Sequence, residues 1–489
     1  MSVLKGLKPA PVWQYFEEIC KIPRLSKDEE KIRNYLLGFA RKYELEAKED
    51  DTGNILITRP SHPGFKNRKT VVLQSHMDMV GEKNADHPHD WSTDPIIPSV
   101  NQGWVTSDGT TLGADDGFGI ASQMAILSDK SLKAGEIECL FTVDEESGMT
   151  GAKNLKPGFF KGRILLNLDS EDEGILFIGC AGGMDTVGTL SFIRKPLPPG
   201  SAAFKISVTG LHGGHSGDEI HKGYGNSIKI MTRILLDLNE RYGILLNNFD
   251  GGNLRNAIPR EAFATIVVKK SLSYTIQDRI NELQAIISKE FAGMEKELLI
   301  SSDKSILPSF VADYRSQEKL LEMLSSCPHG VIAWSKDLDD LVETSTNLAS
   351  IKFHEGDIIK IVTTQRSSVE SSKRDAAAMI ESCMKQAGAE ITHSEGYPGW
   401  TPDINSEILK ITSQSYRKLF GKDPVVKAIH AGLECGLFYE KFRGIDMISF
   451  GPTIRGAHTP EERIEISTAA RFWDLLIDVI NNIPVKDNT

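Results

Sequence analysis

The stretch TVVLQSHMD at residues 70–78 decides the class of fold. Its first six residues are mostly β-branched or apolar, and Gly81 leaves no room for a helix, so the pattern predicts a buried strand. Three further apolar runs of strand type occur: IECLFTV at 137–143, ILLNL at 164–168 and DMISF at 446–450. Apolar residues at helical spacing fill 118–127 and 467–480. We therefore expect an α/β domain with a mostly parallel sheet and helices on both faces.

The middle of the chain, residues 187–396, has a different pattern. Alternating strands are predicted at 203–209, 262–269 and 358–364, and amphipathic helices at 225–241 and 276–291. This pattern is typical of an α+β insertion. Stretches rich in Pro and Gly at 194–200 and 396–402 suit two hinges. We predict a main domain formed by residues 1–186 and 397–489, with an inserted domain of residues 187–396.

Composition excludes several classes of function. The 489 residues contain 56 Lys and Arg against 67 Asp and Glu, a net charge of −11. This balance argues against a nucleic-acid-binding surface, which needs basic patches. The six cysteines are scattered singly, as in reduced cytoplasmic proteins. There is no signal-peptide pattern at the N-terminus, and no apolar run approaches the ~20 residues of a membrane span. The sequence predicts a cytoplasmic enzyme or binding protein that binds neither nucleic acid nor membranes.

Histidine and acidic residues follow the ends of all four predicted strands of the main domain, and an acid pair precedes the helix at 118–127. These residues are His76 and Asp78, Glu145 and Glu146, Asp169, His458, and the pair Asp115 and Asp116. The carboxyl ends of parallel strands form the ligand-binding edge of an open α/β sheet. Two imidazoles and at least three carboxylates suit two divalent ions, one of them bridged to the other by a shared carboxylate.

Each acid taken alone has a simpler explanation. Asp115 and Asp116 can cap the following helix, and Glu145 and Glu146 can form a solvated corner. The coincidence of all these clusters at one edge is harder to explain, because neighbouring like charges repel unless a cation neutralises them. The residues leave open whether Glu145 or Glu146 is the ligand, since adjacent side chains of an extended segment point in opposite directions.

Five of these motifs together resemble the metal site of the M20 family of metallopeptidases. They are HMD at 76–78, GADDG at 113–117, DEESG at 144–148, Asp169, and GAHT at 456–459. The resemblance covers essentially the whole chain, including DTGN at 51–54 and HAGLECG at 430–436. The length, the insertion and the flanking sequence are similar to the aminoacyl-histidine dipeptidase branch. The resemblance implies a dinuclear catalytic domain with an inserted lid domain.

The resemblance also implies how the metal is held. Asp115 would bridge two ions, through a cis peptide to Asp116. The implied ligands are His76, Asp115, Glu146, Asp169 and His458, with one histidine on each ion. Zinc is the first expectation, with manganese or cobalt as alternatives, because all three accept nitrogen and oxygen ligands.

Two further acids would act beside the ligands. Asp78 would orient the imidazole of His76, as metal-bound histidines usually require. Glu145 would be the general base, which takes a proton from the metal-bridging water and later gives it to the leaving amine.

Substrate contacts are implied mainly for the insertion. His215, in GGHSG at 213–217, resembles the lid histidine that donates to the oxyanion. Asn256 would contact the substrate. Arg366 would bind the substrate carboxylate, since guanidinium groups bind carboxylates bidentately. Glu434 would receive the free amino group.

The implied activity is hydrolysis of Xaa-His and other unblocked dipeptides, including β-alanyl-histidine. An aminotripeptidase, a carboxypeptidase or an N-acyl amino acid hydrolase of the same family is the alternative, and a non-catalytic binding protein of the same fold is a more distant one. The sequence leaves open the native metal, the preferred N-terminal residue, a homodimer, and whether His215 acts in its own chain's site or in a partner's.

Overall fold

The computed structural model describes residues 3–486, which separate into two compact units. The first unit contains the residues up to Gly179, then Trp400–Ala428 and the residues from Leu433 onward. The second unit contains Cys180–Gly399 and Ile429–Gly432. Among the helices of residues 3–486, none has both the length and the apolar character that crossing a membrane requires.

The strands, numbered along the chain, are β1 (Glu46–Glu49), β2 (Ile55–Arg59), β3 (Val71–His76), β4 (Pro98–Asn101), β5 (Trp104–Ser107), β6 (Ile137–Thr142), β7 (Ile164–Asn167), β8 (Ile175–Cys180), β9 (Gly182–Ser191), β10 (Arg194–Lys195), β11 (Ser201–Thr209), β12 (Leu245–Gly251), β13 (Ala262–Lys269), β14 (Leu299–Ser305), β15 (Val311–Ala312), β16 (Gly330–Trp334), β17 (Val342–His354), β18 (Ile358–Ser367), β19 (Glu390–His393), β20 (Val425–Ile429), β21 (Asp446–Ser449), β22 (Ile454–Arg455) and β23 (Arg463–Glu465).

The α-helices are α1 (Ala10–Ile19), α2 (Glu30–Lys42), α3 (Ala114–Ser128), α4 (Glu145–Gly148), α5 (Thr150–Asn154), α6 (Ser227–Tyr242), α7 (Ser273–Phe291), α8 (Tyr314–Ser326), α9 (Glu370–Gln386), α10 (Glu407–Phe420), α11 (Glu434–Lys441) and α12 (Ile466–Asn482). Two short 3₁₀ helices span Ile220–Lys222 and Lys270–Leu272. The predicted strands and helices are confirmed, with ends shifted by a few residues.

The main sheet of the first unit has the order β1-β2-β6-β3-β7-β21-β8-β20. Its four central strands, β6, β3, β7 and β21, run parallel to one another. The pairs β1–β2, β2–β6 and β21–β8 are antiparallel, so the sheet is mixed. The prediction of a mostly parallel sheet holds for the centre only, because the sequence pattern was strongest in the buried central strands.

The central strands explain why the site forms where it does. Every residue of β3, β6 and β7 is buried, as expected for strands covered on both faces. In the sheet, β6 lies on one side of β3, and β7, the next of these strands along the chain, lies on the other side. This reversal of strand order places a crevice at the carboxyl ends of β3 and its neighbours. The predicted histidine and acids stand at those ends.

The second unit is built on an antiparallel sheet with the order β14-β11-β13-β12-β17-β18-β9-β19, and β16 pairs with β17. A core of mainly Ile, Leu, Val and Phe side chains packs between its strands and helices. Local capping fixes two of these helices, since the Asn226 side chain accepts from the amides of Ile228 and Lys229, and Asp313 accepts from Ser316.

The boundaries of the units differ from the predicted 186/187 and 396/397. Residues 186 and 187 lie inside β9, which pairs over its whole length with β18 in the second unit. The predicted hinge at 194–200 contains β10 and leads into β11, so it lies inside the second unit and not at its boundary. Composition marked a turn there and could not tell an internal turn from a domain boundary. The second predicted hinge, 396–402, contains the observed boundary between Gly399 and Trp400.

Candidate metal centre

The predicted metal ligands come together in the first unit, at the carboxyl edge of the parallel strands. His76 ends β3, Asp169 follows β7, and Glu145 and Glu146 form the start of α4 after β6. Asp115 stands at the start of α3, and His458 lies in the loop between β22 and β23. The peptide between Asp115 and Asp116 is cis, as the family resemblance implies.

His76 lies at the buried end of this cluster. Its Nε2 atom is 3.1 Å from Oδ1 of Asp115 and 3.3 Å from Oδ1 of Asp169. The side chain is only 1% exposed. One imidazole nitrogen and two carboxylate oxygens therefore converge on one point.

His458 forms the second half of the cluster. Its Nε2 atom is 3.2 Å from Oδ2 of Asp115 and 3.0 Å from Oε2 of Glu146. The ligand atoms of Asp115, Glu146 and His458 all lie within 4.8 Å of one another. The two oxygens of Asp115 thus face different histidines, which is the arrangement that a carboxylate shared by two ions requires.

Asp78 holds the other side of His76. Its Oδ1 atom is 3.4 Å from Nδ1 of His76. The same carboxylate accepts hydrogen bonds from the amides of Glu145 and Glu146 and from Ser26 Oγ. Burial opposes ionisation of Asp78, but the hydrogen bond and charge of His76 outweigh it and lower the pKa to about 2. Asp78 is thus an anion that orients His76 and fixes the backbone of both glutamates.

Glu145 and Glu146 differ in their surroundings. The Glu146 carboxylate contacts His458. The Glu145 carboxylate makes no hydrogen bond or ion pair recorded among residues 3–486. Burial raises its pKa well above the usual value, and the charges of Asp169, Glu434 and Glu146 add to this against the opposing effect of His76. Of the two carboxylates, that of Glu145 is therefore the one left without a direct partner among the described residues.

The donor set fits divalent cations. Several carboxylates lie close to the two imidazoles. The pKa of Asp116 is raised well above its usual value, mainly by burial and then by the charge of Asp169. The Oδ2 atom of Asp116 is buried and has no hydrogen-bond partner among the described residues. His76 also groups with Asp116 and Asp169, and separately with Glu145 and Glu146. Mixed nitrogen and oxygen ligands suit zinc and its neighbours, and cations relieve the repulsion of the carboxylates.

Glu434 is fully buried behind the cluster, at the start of α11. Its Oε2 atom accepts hydrogen bonds from Nε2 of Gln74 at 2.6 Å and from Oγ1 of Thr142 at 2.7 Å. Its Oε1 atom has no partner among the described residues. Burial raises its pKa to about 8, even though the charge of His76 lowers it. The sequence predicted an acid that meets a substrate amine, and it did not indicate this degree of burial.

The other predicted substrate residues lie in the second unit. Arg366 is 6% exposed, donates from Nη1 to the hydroxyl of Tyr397 at 2.9 Å, and has no recorded partner for Nε within residues 3–486. His215 is half-buried, with Nδ1 3.1 Å from Oδ2 of Asp218. The hydrogen bond from His215, and then the charges of His215 and Arg366, lower the pKa of Asp218 against its burial. Asn256 is exposed in the loop before β13.

Sequence reasoning missed three charged residues near the ligands. Arg24 and Glu462 are both 2% exposed and hydrogen-bond to the backbone of the ligand-bearing loops. Burial, and then the charges of Asp115 and Asp169, raise the pKa of Glu171 to about 8. Glu171 lies in the acidic run 171–173, a pattern that is also typical of an ordinary turn. Arg24 and Glu462 stand outside every motif, so no local signal marks them.

Comparison with known proteins agrees with this geometry. The sequence profile of peptidase family M20/M25/M40 matches residues 72–482. The chain is 41% identical over 486 residues to the cytosol non-specific dipeptidase of Escherichia coli (strain K12), covering 99% of this chain and 100% of the relative. The crystal structure of aminoacylhistidine dipeptidase from Vibrio alginolyticus has 41% identity and a TM-score of 0.93 over 99% of both chains. The aminopeptidase PepT from Bacillus cereus ATCC 10987, at 18% identity and a TM-score of 0.57 over 98% of this chain and 99% of its own, shares the fold. The chain is therefore a member of peptidase family M20, a family of metal-dependent hydrolases of peptide bonds.

Proposed function

We propose that this protein is a dipeptidase that uses two divalent metal ions to hydrolyse Xaa-His and other unblocked dipeptides, β-alanyl-histidine among them. The observation that carries the dinuclear part is the position of Asp115, whose oxygens face His76 on one side and His458 on the other. The substrate class is supported by the two relatives at 41% identity, which are named as a non-specific dipeptidase and an aminoacylhistidine dipeptidase.

His76, Asp115, Asp169, Glu146 and His458 would hold the ions. Zinc is the first candidate, and manganese and cobalt fit the same ligands. When bound, the ions would supply Lewis acidity at the reacting carbonyl and counter-charge for the clustered carboxylates.

Glu145 would perform the proton transfers. Its carboxylate makes no hydrogen bond among the described residues and lies beside His76 and Glu146, a position that supports its taking a proton from the attacking water and returning it to the leaving amine. Asp78 would keep the imidazole of His76 in one orientation and, through its two backbone hydrogen bonds, hold Glu145 and Glu146 in register.

The two ends of the substrate would meet opposite charges. Arg366 would bind the carboxylate, and its incompletely paired, buried guanidinium group supports this role. Glu434 would receive the amino group, and its unpartnered Oε1 atom supports that role. His215 would donate to the oxyanion and Asn256 would contact the substrate backbone.

The test is a substrate panel with metal-depleted protein. The protein is reconstituted with zinc, manganese or cobalt, and kcat/KM is measured for Xaa-His and Xaa-Yaa dipeptides, β-alanyl-histidine, tripeptides, dipeptide amides and acetylated amino acids. We expect dipeptides to be cleaved best and a chelator to abolish activity. Preference for tripeptides would favour an aminotripeptidase, and preference for acetylated amino acids an N-acyl amino acid hydrolase. Binding without cleavage of any member would favour a non-catalytic protein of this fold.

Two further properties are proposals of the same kind. A cytoplasmic location is supported by the name of the Escherichia coli relative, the cytosol non-specific dipeptidase. A homodimer, in which His215 acts either in its own chain's site or in a partner's, would be tested by light scattering and by mixing an inactive Glu145 variant with an inactive His215 variant. Recovery of activity on mixing would show that His215 acts on the partner.

A further inference from the structure

Glu462 binds the loop that carries Asp115 through four consecutive backbone amides. Its Oε2 atom accepts from the amides of Leu112 and Gly113 at 2.8 and 2.9 Å. Its Oε1 atom accepts from the amides of Ala114 and Asp115 at 2.7 and 3.2 Å. Four consecutive buried amides need acceptors, and an ionised carboxylate is a stronger acceptor than a neutral group. Asp115 and Asp116 have non-helical backbone angles, and Oδ1 of Asp116 accepts from the amide of Gly119 at the first regular turn of α3. Glu462 therefore satisfies the amides of the turn that leads into α3, from a distant part of the chain.

Arg24 binds the same loop from its carbonyl side. Its Nη2 atom donates to the carbonyl oxygen of Gly113 at 2.5 Å. Its Nη1 atom donates to the carbonyl oxygens of Met77 and Asp78 at 2.9 and 2.6 Å. The peptide groups of Gly113 are thus held by Glu462 at the N–H and by Arg24 at the C=O. Arg24 also ties this loop to the segment that begins with His76.

The position of Glu462 in the chain connects it to the other histidine. Glu462 follows His458 by one short loop, in which the amide of Thr459 donates to the carbonyl oxygen of Gly456 and the amide of Glu462 donates to that of Thr459. His458 has a φ of 63°, a left-handed conformation that a non-glycine residue adopts only when its surroundings hold it there. The same carboxylate therefore links the loop of His458 with the loop of Asp115.

Two buried charges of this kind have to be compensated. Each is 2% exposed, and a buried ion costs free energy unless hydrogen bonds satisfy it. Both are satisfied almost entirely by backbone groups of the ligand-bearing loops. Hydrogen bonds to ionised groups are stronger and shorter than neutral ones, so they constrain these loops more tightly than neutral side chains would.

We propose that Glu462, assisted by Arg24, is a positioning residue that holds the Asp115 carboxylate between the two ion sites and so couples their occupancy. This inference rests on the proposed dinuclear function. Neither residue is one of the expected ligands; both act through the backbone of Gly113, Ala114 and Asp115. Removal of the Glu462 carboxylate changes none of the ligand residues. It would, however, release the Asp115 loop, so that the two oxygens of Asp115 no longer face His76 and His458.

The experiment compares the metal affinity of wild-type protein, Glu462→Gln and Glu461→Gln. In Glu462→Gln, an NH₂ group replaces one carboxylate oxygen and faces two of the four backbone N–H groups. Two hydrogen bonds are therefore lost, and two pairs of hydrogen-bond donors are brought together. Glu461 is its exposed neighbour and makes no contact with the Asp115 loop recorded in the described residues, so Glu461→Gln is the matched control. Metal-depleted proteins are titrated with Zn²⁺ and separately with Mn²⁺ by calorimetry, and bound metal is counted after gel filtration.

We expect two ions per chain in the wild type and in Glu461→Gln. In Glu462→Gln we expect at least ~10-fold weaker binding of one or both ions, the range seen when groups that support metal ligands are removed. A role in folding alone would lower the melting temperature of the metal-free variant and leave the affinity of its folded fraction unchanged. Circular dichroism and gel filtration of the metal-free protein separate these outcomes. Co²⁺ absorption spectra report the geometry of the ligands directly, and they should change in Glu462→Gln but not in the control.

If Glu462→Gln does not fold, two milder variants replace it. Glu462→Asp keeps the negative charge on a side chain one methylene shorter, and Arg24→Lys keeps the positive charge but lacks the planar guanidinium group that donates to several carbonyl oxygens. Both should weaken metal binding while keeping a folded metal-free protein. Wild-type affinity and two ions in these folded variants would overturn the inference and leave the dinuclear proposal standing. Fewer than two ions in the wild type would overturn the dinuclear proposal and this inference together.

Discussion

The neighbours Glu145 and Glu146 provide a sharp test of the division between proton transfer and metal binding. Changing either one to Gln keeps the size of the side chain and removes its charge and its ability to accept a proton. The backbone should be unaffected, since Asp78 binds both residues through their amides. Each variant is the matched control of the other.

The expected effects follow from the different contacts of the two carboxylates. Glu146 has Oε1 and Oε2 at 3.1 and 3.0 Å from Nε2 of His458, so Glu146→Gln should lose one ion per chain. Glu145→Gln should keep two ions and lose at least ~10² in kcat, the lower end of general acid–base contributions. That factor corresponds to about 2.7 kcal/mol in the activation free energy.

The assay measures both quantities on the same protein. Metal content is determined by mass spectrometry after removal of free ions, and kcat is measured on one Xaa-His dipeptide with saturating metal. Loss of an ion from Glu145→Gln, with two ions kept in Glu146→Gln, would reverse the assignment of the pair. Two ions and near wild-type kcat in Glu145→Gln would refute the role of Glu145 in proton transfer.

Three further predictions concern other parts of the molecule. Asp115→Ala should lose both ions and all activity, because the two oxygens of Asp115 face both histidines. If metal analysis counts two tightly held ions in that variant, the bridging role is wrong. Dipeptides should be cleaved at least ~10³-fold better in kcat/KM than tripeptides or dipeptide amides, because a missing or displaced substrate carboxylate leaves a buried charge unpaired. Arg366→Ala should narrow that difference by lowering kcat/KM for dipeptides. Equal cleavage of dipeptides and tripeptides by the wild type would refute recognition of both substrate ends. The hydrogen bond from Cys327 lowers the pKa of Cys383 to about 6 against partial burial, with help from Ser326 and the nearby charge of Lys229. Iodoacetamide labelling of Cys383, followed by peptide mass spectrometry with Cys383→Ser as control, should therefore rise between pH 5 and 7 and level off near pH 7, and a rise continuing beyond pH 8 would contradict this.

The residues that sequence reasoning found are those that a local pattern marks. Apolar strands end at or just before His76, Asp169 and the two glutamates. Because an apolar run predicts a buried strand, it also predicts that the residues at its carboxyl end lie at the edge of the sheet. Glu434 also lies in a conspicuous motif, but its hydrogen-bond partners Gln74 and Thr142 belong to β3 and β6, far away in the sequence. Charge alone suggests an exposed group, so the pattern gave its chemistry and not its surroundings.

Arg24 and Glu462 show a different limit of prediction. Their partners are backbone amides and carbonyl groups, which every residue possesses, and these partners lie 53 to 89 residues from Arg24 and 347 to 350 from Glu462. A single sequence contains no mark of such contacts. The boundary between the units was hard to locate for a related reason, because β9 continues the pairing of β18 through a stretch that composition assigns to the first unit.

The place of β21 in the main sheet has a consequence for how the protein is made. β21 lies between β7 and β8, although these two strands are synthesised long before residues 446–449 leave the ribosome. A sheet that formed before then would leave one edge of β7 and one edge of β8 unpaired, and an open strand edge is prone to pair with another chain. His458 arrives later still, so a nascent chain cannot complete the ion site. Overexpression at high rates of synthesis should therefore favour aggregation of incomplete chains, and truncation before Asp446 should yield protein that is retained by chaperones rather than a smaller active enzyme.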